Sequence, residues 1–474
     1  MLNRNIFRAY DIRGIAHQPV SSPNPDLTPE TVRLIGQASG THFKRSVCPG
    51  NPAPLIAVGH DVRVSNPELS NAFIEGLRST GCRVLDIGLI PTPILYFAVC
   101  KLNLDGGACI TASHNSKEYN GIKLVGPHAH SVCGEELKTI YELGMSGDLD
   151  QVEPGSLETK DVFPLYTEHI KGMIQIKRPL KIVVDAGNGV AGPFVKTFFE
   201  ALGCEIVPLF TEPDGLFPNH EANPEVEENM KDLMAAVLKH QADLGVGFDG
   251  DGDRVGIVDE LGHHYSADLL LILLARDLLK RKPGSKIVFD VKVSQVLIDD
   301  IQAHGGEPTM TKTGHSFIEK TMHELGAPLG GEISGHMFFA ENYYGFDDAM
   351  LAAAKLLQIL SEQDGPFSSL LAGLPKTAVT PELKSACPDD KKFQIMEELV
   401  KRFTAKYKCI TIDGVRIQFD DKSWGAVRCS NTSPNLTIRF EAPTQDRLKE
   451  IMRLMLEELR QFPEIDLWWK GQAV

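Results

Sequence analysis

Four stretches of the chain combine residue types that can do chemistry. The first is Thr111-Ala-Ser113-His114-Asn115-Ser-Lys-Glu-Tyr-Asn120-Gly121-Ile-Lys123, which follows the apolar run Gly107–Ile110. A strand there leaves Ser113 just past its end, where open α/β sheets bind ligands. An exposed Ser with His114 and Lys123 nearby suits a nucleophile or a phosphoryl carrier; a polar turn would use the same residue types. The second is Phe248-Asp249-Gly-Asp251-Gly-Asp253-Arg254. Its glycines let three carboxylates converge. Such a set would repel itself without a cation, and hard divalent ions such as Mg2+ prefer oxygen ligands. A solvated acidic turn is the bland alternative, and an EF-hand lacks its later Glu. Arg254 adds positive charge beside the metal.

The third stretch, Gly331-Glu332-Ile-Ser334-Gly335-His336, offers a mixed donor and acceptor set suited to sugar hydroxyls, although an ordinary loop reads the same way. The fourth, Arg428-Cys-Ser430-Asn431-Thr432-Ser433-Pro434, could fork a phosphate with Arg428 and satisfy its other oxygens with Ser430, Asn431 and Thr432. Tyr10 and Arg13 near the N-terminus, Lys292 in Asp290-Val-Lys292, and His315 in Lys312-Thr-Gly314-His315-Ser316 are smaller candidates. Any of them could be a surface pair.

The elements that must position these residues form an internal repeat. Three times the chain runs apolar strand, Asp, helix, Gly, strand. The units are Leu55–Asp61 with helix Pro67–Ser79 and strand Arg83–Ile87; Lys181–Asp185 with helix Pro193–Leu202 and strand Glu205–Leu209; and Lys286–Asp290 with helix Ser294–His304 and strand Pro308–Thr311. Each unit reads as a strand-helix-strand crossover, so three related α/β domains with mixed, partly parallel sheets are expected. The last hundred residues read as a small α+β domain, with helices over Lys391–Phe403 and Thr444–Gln461 and strands between them. The expected domains are 1–155, 156–262, 263–372 and 373–474, arranged around a central cleft.

Composition sets limits. With 474 residues the chain exceeds one ordinary core. No run of about 18 apolar residues marks a membrane span, and no signal-peptide core opens the chain; a cytoplasmic location is expected. The net charge of -15 argues against binding nucleic acid or anionic membrane. Nine cysteines without a C-x-x-C pair suggest neither a disulfide framework nor a zinc site. Gly187-Asn-Gly189-Val-Ala-Gly192 matches the dinucleotide fingerprint G-x-G-x-x-G. A tight strand-to-helix turn explains it better, because the other signals demand phosphate chemistry.

Taken together, in this order and over essentially the whole chain, Thr111–Lys123, Asp249–Arg254, Gly331–His336 and Arg428–Ser433 resemble the α-D-phosphohexomutase family, and within it the phosphomannomutase/phosphoglucomutase branch. The resemblance implies three related α/β domains and a fourth of different fold. It implies that Ser113 is the phosphoserine and that Ser113, Asp249, Asp251 and Asp253 hold Mg2+. Glu332 and Ser334 would read sugar hydroxyls, and Arg428, Ser430, Asn431 and Thr432 would hold the substrate phosphate. Tyr10, Arg13, Lys292, His315 and His336 would line the remaining pocket. Lys123 and His336 become acid/base candidates, with His114, Arg13 and Arg254 beside the reacting group. A base at Lys123 would need a depressed pKa. The implied reaction moves a phosphoryl group between the 1- and 6-positions of mannose or glucose through a hexose 1,6-bisphosphate; a monomer acting on a small phosphosugar is expected. Family members often carry Pro where Ser116 stands, so a slightly looser loop is expected. The rivals are a phosphoglucosamine mutase, a metal-dependent sugar phosphatase, a dehydrogenase using Gly187–Gly192, and a non-catalytic sugar-phosphate binder.

Overall fold

The structure is a computed structural model that describes residues 2–19, 24–431, 433–469 and 472–473. The chain forms two compact units, Met1–Asp277 with Ser334–Leu371, and Leu278–Ile333 with Ala372–Val474.

The first unit holds two mixed sheets. Strands β1 (Ile12–Ile15), β2 (Leu55–His60), β3 (Arg83–Leu89), β4 (Gly106–Ile110), β5 (Tyr119–Val125) and β6 (Leu157–Thr159) line up in the order β1-β5-β4-β2-β3-β6. The second sheet takes β7 (Lys181–Asp185), β8 (Glu205–Leu209), β9 (Leu244–Phe248), β10 (Val255–Asp259) and β11 (His264–Tyr265) in the order β11-β10-β9-β7-β8. In each sheet the first strand of the repeat is paired in parallel on both sides: β2 with β3 and β4, β7 with β8 and β9. Beyond these trios β4–β5 and β9–β10 are antiparallel, while β3–β6 is parallel. Parallel strands covered on both faces read as continuous apolar runs, and Ile56, Val58, Ile182, Val183 and Val184 are fully buried. Helix Asn66–Ser79 covers the first sheet with Leu69, Phe73 and Leu77, each fully buried and each contributing roughly 1.5–3 kcal/mol.

In the second unit β12 (Lys286–Asp290) is flanked in parallel by β13 (Glu307–Thr311) and β14 (Leu329–Gly331). The same parallel trio therefore occurs three times: β3-β2-β4, β8-β7-β9 and β13-β12-β14. The chain then returns to the first unit through β15 (Met337–Phe339) and helix Ala349–Ser361. The C-terminal part of the second unit is an antiparallel sheet of β16 (Ala378–Val379), β17 (Leu383–Ala386), β18 (Lys408–Ile410), β19 (Val415–Asp420), β20 (Ser423–Cys429) and β21 (Asn435–Ala442). Its order is β16-β21-β20-β19-β18, with β17 also on β21. Helix Gln445–Leu459 is started by Thr444, whose side chain accepts from the Arg447 N–H, and it buries Leu448, Ile451, Met455 and Leu459 at helical spacing. Three α/β sheets, the first two mixed, and one α+β part answer the repeat seen in the sequence. Among the described residues no helix is long and apolar enough to cross a membrane, and all nine cysteines are free thiols.

Candidate active site

Each of the first three motifs follows the same strand of its repeat: Ser113 comes after β4, Asp249 after β9 and Glu332 after β14. A parallel sheet presents its strand ends on one edge, where loops bind ligands. The repeat therefore carries the motifs to equivalent positions.

In the first unit the serine loop meets the acidic loop. Ser113 Oγ donates to Asp249 Oδ2 at 2.7 Å and lies 3.2 Å from His114 Nδ1. Ser113 is 1% exposed, which corrects the expectation of an exposed hydroxyl. The reason is the close approach of the acidic loop: a Cβ at Gly250 would lie 2.5 Å from the Ser113 carbonyl oxygen, so only glycine fits there. Asp249, Asp251 and Asp253 are buried, with ligand oxygens within 4.8 Å of one another. Asp249 Oδ1 accepts the backbone N–H groups of Asp253 and Arg254 at 3.1 and 3.2 Å. Asp251 Oδ2 accepts from Thr92 Oγ1 at 2.8 Å and from Lys123 Nζ at 2.7 Å. Asp251 Oδ1 and Asp253 Oδ1 are buried with no hydrogen-bond partner among the described residues. Buried oxygens without donors, converging in one loop, fit a hard divalent cation.

Burial, then Asp253 and Asp251, push the Asp249 carboxyl well above the ordinary carboxylate range. Burial also opposes charge on Asp253, but Lys123, His336 and Arg254 pull that carboxyl well below the range. Lys123 bridges Asp251 and Asp253. Burial works against its charge, yet the two carboxylates hold its pKa well above the ordinary lysine value. That is opposite to the depressed value a base at Lys123 requires.

His336 is held on both sides. Its Nδ1 lies 2.6 Å from Asp347 Oδ2, and its Nε2 accepts from Arg254 Nε at 3.0 Å. Two effects disagree here. Burial lowers the His336 pKa, but Asp253 and Asp347 raise it beyond that, whereas an Arg donor on Nε2 requires the neutral ring. In the arrangement seen the donor decides: the proton sits on Nδ1 and Nε2 is an acceptor. The turn that delivers His336 passes close to β10, since a Cβ at Gly335 (φ +107) would be 2.8 Å from the Val255 carbonyl oxygen. Ser334 is buried in the same turn. Arg13 pairs with Asp11 at 2.7 Å and donates to Asn115 Oδ1 at 2.9 Å. Burial opposes its charge, but Asp11 raises its pKa above the ordinary value. Tyr10 is half-buried in the bend just before β1.

The second unit gathers a cation-rich group. Arg428 Nε donates to Asp413 Oδ2 at 2.6 Å, and Asp413 also accepts the Thr313 N–H at 3.0 Å. Asn431 Nδ2 donates to the Thr313 carbonyl at 3.0 Å. Lys292 Nζ reaches Glu382 Oε2 at 2.5 Å and Asp290 Oδ2 at 3.7 Å. Lys292 thus favours one carboxylate. Burial, opposed by Lys292, leaves Asp290 raised to about 7, whereas Lys292 overcomes burial and brings Glu382 down to about 2. His315 is buried at the start of helix His315–Leu325, and Glu332 is buried after β14. Ser430 Oγ lies 2.8 Å from Ser433 Oγ, and its carbonyl accepts from Lys392 at 2.8 Å. Thr432 lies outside the described residues.

The glycines of Gly187–Gly192 serve packing. The Gly187 N–H caps Asp185 at 2.8 Å, and a Cβ at Gly192 would lie 2.0 Å from the Thr211 carbonyl oxygen. This is the tight-turn reading. Sequence reasoning missed Asp61, Arg63, Thr92, Asp347, Glu382 and Asp413. For Arg63 a signal was present: Asp61-Val-Arg63 occupies the first-repeat place of Asp290-Val-Lys292, which was singled out.

Four segments match the family's sequence profiles: phosphoglucomutase/phosphomannomutase alpha/beta/alpha domain I over residues 4–149, domain II over 164–262, domain III over 266–378 and the C-terminal domain over 382–458. The chain belongs to the phosphoglucomutase/phosphomannomutase family. It is 44% identical to a phosphomannomutase/phosphoglucomutase of Pseudomonas aeruginosa over 460 residues, covering 97% of this chain and 96% of that one. It is 41% identical to a phosphoglucomutase of Neisseria gonorrhoeae over 472 residues, 98% of this chain and 99% of that one. A crystal structure of a family protein from Burkholderia thailandensis aligns with a TM-score of 0.88 at 38% identity, covering 97% and 98% of the two chains.

Proposed function

We propose that this chain interconverts the 1- and 6-phosphates of mannose and of glucose, through phosphorylated Ser113 and a hexose 1,6-bisphosphate. The observation that carries the reading is the seating of Ser113 Oγ on Asp249 inside a buried triad of carboxylates. The names of the relatives supply the sugars, and the four-domain division near residues 155, 262 and 372 belongs to the same reading.

In the first transfer the bond from phosphorus to Ser113 Oγ breaks and a bond to the free sugar hydroxyl forms. The hydroxyl proton passes to a base, and the bisphosphate turns end for end. The other phosphoryl group then returns to Ser113. Asp249, Asp251, Asp253 and Ser113 would hold Mg2+, which when bound neutralises the carboxylates and stabilises charge on the phosphoryl group. Arg254 adds a fixed cation, with Arg13, Tyr10 and His114 lining the same loop. His336 Nε2 is the better base, because it is an acceptor in the geometry seen, whereas Lys123 Nζ is engaged by Asp251 and Asp253. Glu332 and Ser334 read sugar hydroxyls. Lys292, His315, Arg428, Ser430, Asn431 and Thr432 hold the phosphate that is not reacting.

The test is a coupled assay of 6-phosphate formation from mannose 1-phosphate and glucose 1-phosphate. It is run with Mg2+ and a trace of glucose 1,6-bisphosphate, and repeated with EDTA. Metal-dependent conversion of both sugars is expected. Release of inorganic phosphate instead would make the protein a phosphatase, and conversion of glucosamine phosphate alone would make it an amino-sugar mutase.

A further inference from the structure

Arg63 is 1% exposed and lies beneath the serine loop. Its guanidinium donates to four carbonyl oxygens of that loop: Ser113 at 2.8 Å, Asn115 at 2.6 Å, Ser116 at 2.8 Å and Tyr119 at 2.8 Å. Its Nε lies 3.3 Å from Asp61 Oδ2. Asp61 is itself fixed, accepting from Thr111 Oγ1 at 2.7 Å, Asn66 Nδ2 at 2.5 Å and the Arg63 N–H at 2.9 Å. The Phe217 ring covers the guanidinium at 5.6 Å. A Cβ at Gly215 would lie 2.8 Å from Arg63 Cα, so the segment carrying that ring is packed against the Arg63 backbone.

The arrangement answers a local difficulty. Ser113 has φ 50, in the left-handed region that a non-glycine residue adopts only when its surroundings impose it. Ser113 uses its carbonyl towards Arg63 and its hydroxyl towards Asp249. Only a planar fork with several donors can gather four carbonyls; an ammonium offers three donors around one point. The guanidinium is committed to backbone, so it does not serve as a phosphate ligand.

We infer that Arg63 is a positioning residue: it holds Ser113 in its left-handed conformation with Oγ on the acidic loop, and so governs the rate of phosphoryl transfer to and from Ser113 without binding the sugar. The inference rests on the phosphoserine reading above. Displacing a reacting atom by about 1 Å costs about 100-fold in rate.

The test compares wild type, Arg63→Lys, Arg63→Met and Asp61→Asn as full-length proteins with Mg2+ and glucose 1,6-bisphosphate. Quench-flow and mass spectrometry follow phosphate on Ser113. Expected are a loss of about 100-fold in kcat and in the single-turnover phosphorylation rate for Arg63→Lys, and about 1,000-fold for Arg63→Met. The KM for hexose 1-phosphate should stay within about 3-fold, with full final phosphate occupancy in the folded fraction. A merely structural role would lower thermal midpoint and active fraction while leaving the phosphorylation rate per folded chain unchanged, and that result overturns the inference. If Arg63→Met does not fold, Arg63→Lys and Asp61→Asn decide by the same readouts. If wild type itself never carries phosphate on Ser113, the underlying reading has failed, and the wild-type lane separates the two failures.

Discussion

The central strands of the first and third repeats end alike, in Asp61-Val-Arg63 and Asp290-Val-Lys292, yet the two cations are used differently. Arg63 turns back onto the backbone and meets four carbonyls. Lys292 stays among side chains, between Glu382 and Asp290. A guanidinium suits a set of backbone acceptors because its donors are spread over a rigid plane, whereas an ammonium is a compact charge that sets the potential around it. The second repeat has no cation at that place, its central strand ending in Asp185-Ala-Gly187. After β9 three buried carboxylates converge with too few donors, a place prepared for a cation. In the second unit Arg428 and Lys292 each face a carboxylate, Asp413 and Glu382, and Asn431 bonds the Thr313 carbonyl beside them. One repeat thus gives the cation after its central strand different partners, backbone carbonyls in one copy and carboxylates in another.

The sharpest way to break the comparison is at Ser113. Ser113→Ala should lower kcat by at least ~10⁴-fold, as loss of a nucleophile does, while isothermal titration still detects phosphosugar binding. A near-normal rate would sink the phosphoserine reading. Arg428→Ala should act on the other side of the comparison. It should raise KM for hexose 1-phosphate by about 10–100-fold, the worth of charge-assisted hydrogen bonds, with little change in kcat; a kcat defect at unchanged KM would place Arg428 with the reacting group.

A pH titration sharpens the Lys292 half. Glu382 is depressed to about 2 from an ordinary 4.5, so its stabilisation is present above about pH 4.5 and is lost as pH falls towards 2. Asp290 is raised to about 7 from 3.8, so its contribution runs the other way, present below about pH 4 and lost as pH rises through 7. Glu382→Gln should therefore begin less stable at neutral pH and show a flatter acid limb in urea midpoints measured from pH 5 to 2. An acid limb as steep as wild type would put the titrating pair elsewhere. The smallest effect is expected at Ser116. Its carbonyl is already held by Arg63, so Ser116→Pro should change kcat by no more than ~3-fold. A large gain would mean that the serine loop is loose after all.

Much of this was legible in the sequence. Lys181–Asp185, Glu205–Leu209 and Lys286–Asp290 are strands with the expected ends, because parallel strands announce themselves as short apolar runs closed by Asp or a turn. The acidic loop was legible because three carboxylates alternating with glycine have few other uses. Arg63 was only partly legible: its place matches that of Lys292 in the third repeat, but its role depends on carbonyl acceptors that lie fifty to fifty-six positions away. Asp347, Asp413 and Glu382 escaped for the same reason, since a single carboxylate gains meaning only from the cation folded against it.

By itself the sequence determined the repeat, the order of the motifs and the chemical character of each loop, because these depend on residue type and on spacing along the chain. Only the tertiary structure decided that Ser113 is buried, that Lys123 lies between two carboxylates, that His336 presents Nε2 as an acceptor, and that Arg63 holds the serine loop from beneath. Those are properties of burial and of partners distant in sequence, and electrostatic energies depend on distances that no local pattern encodes.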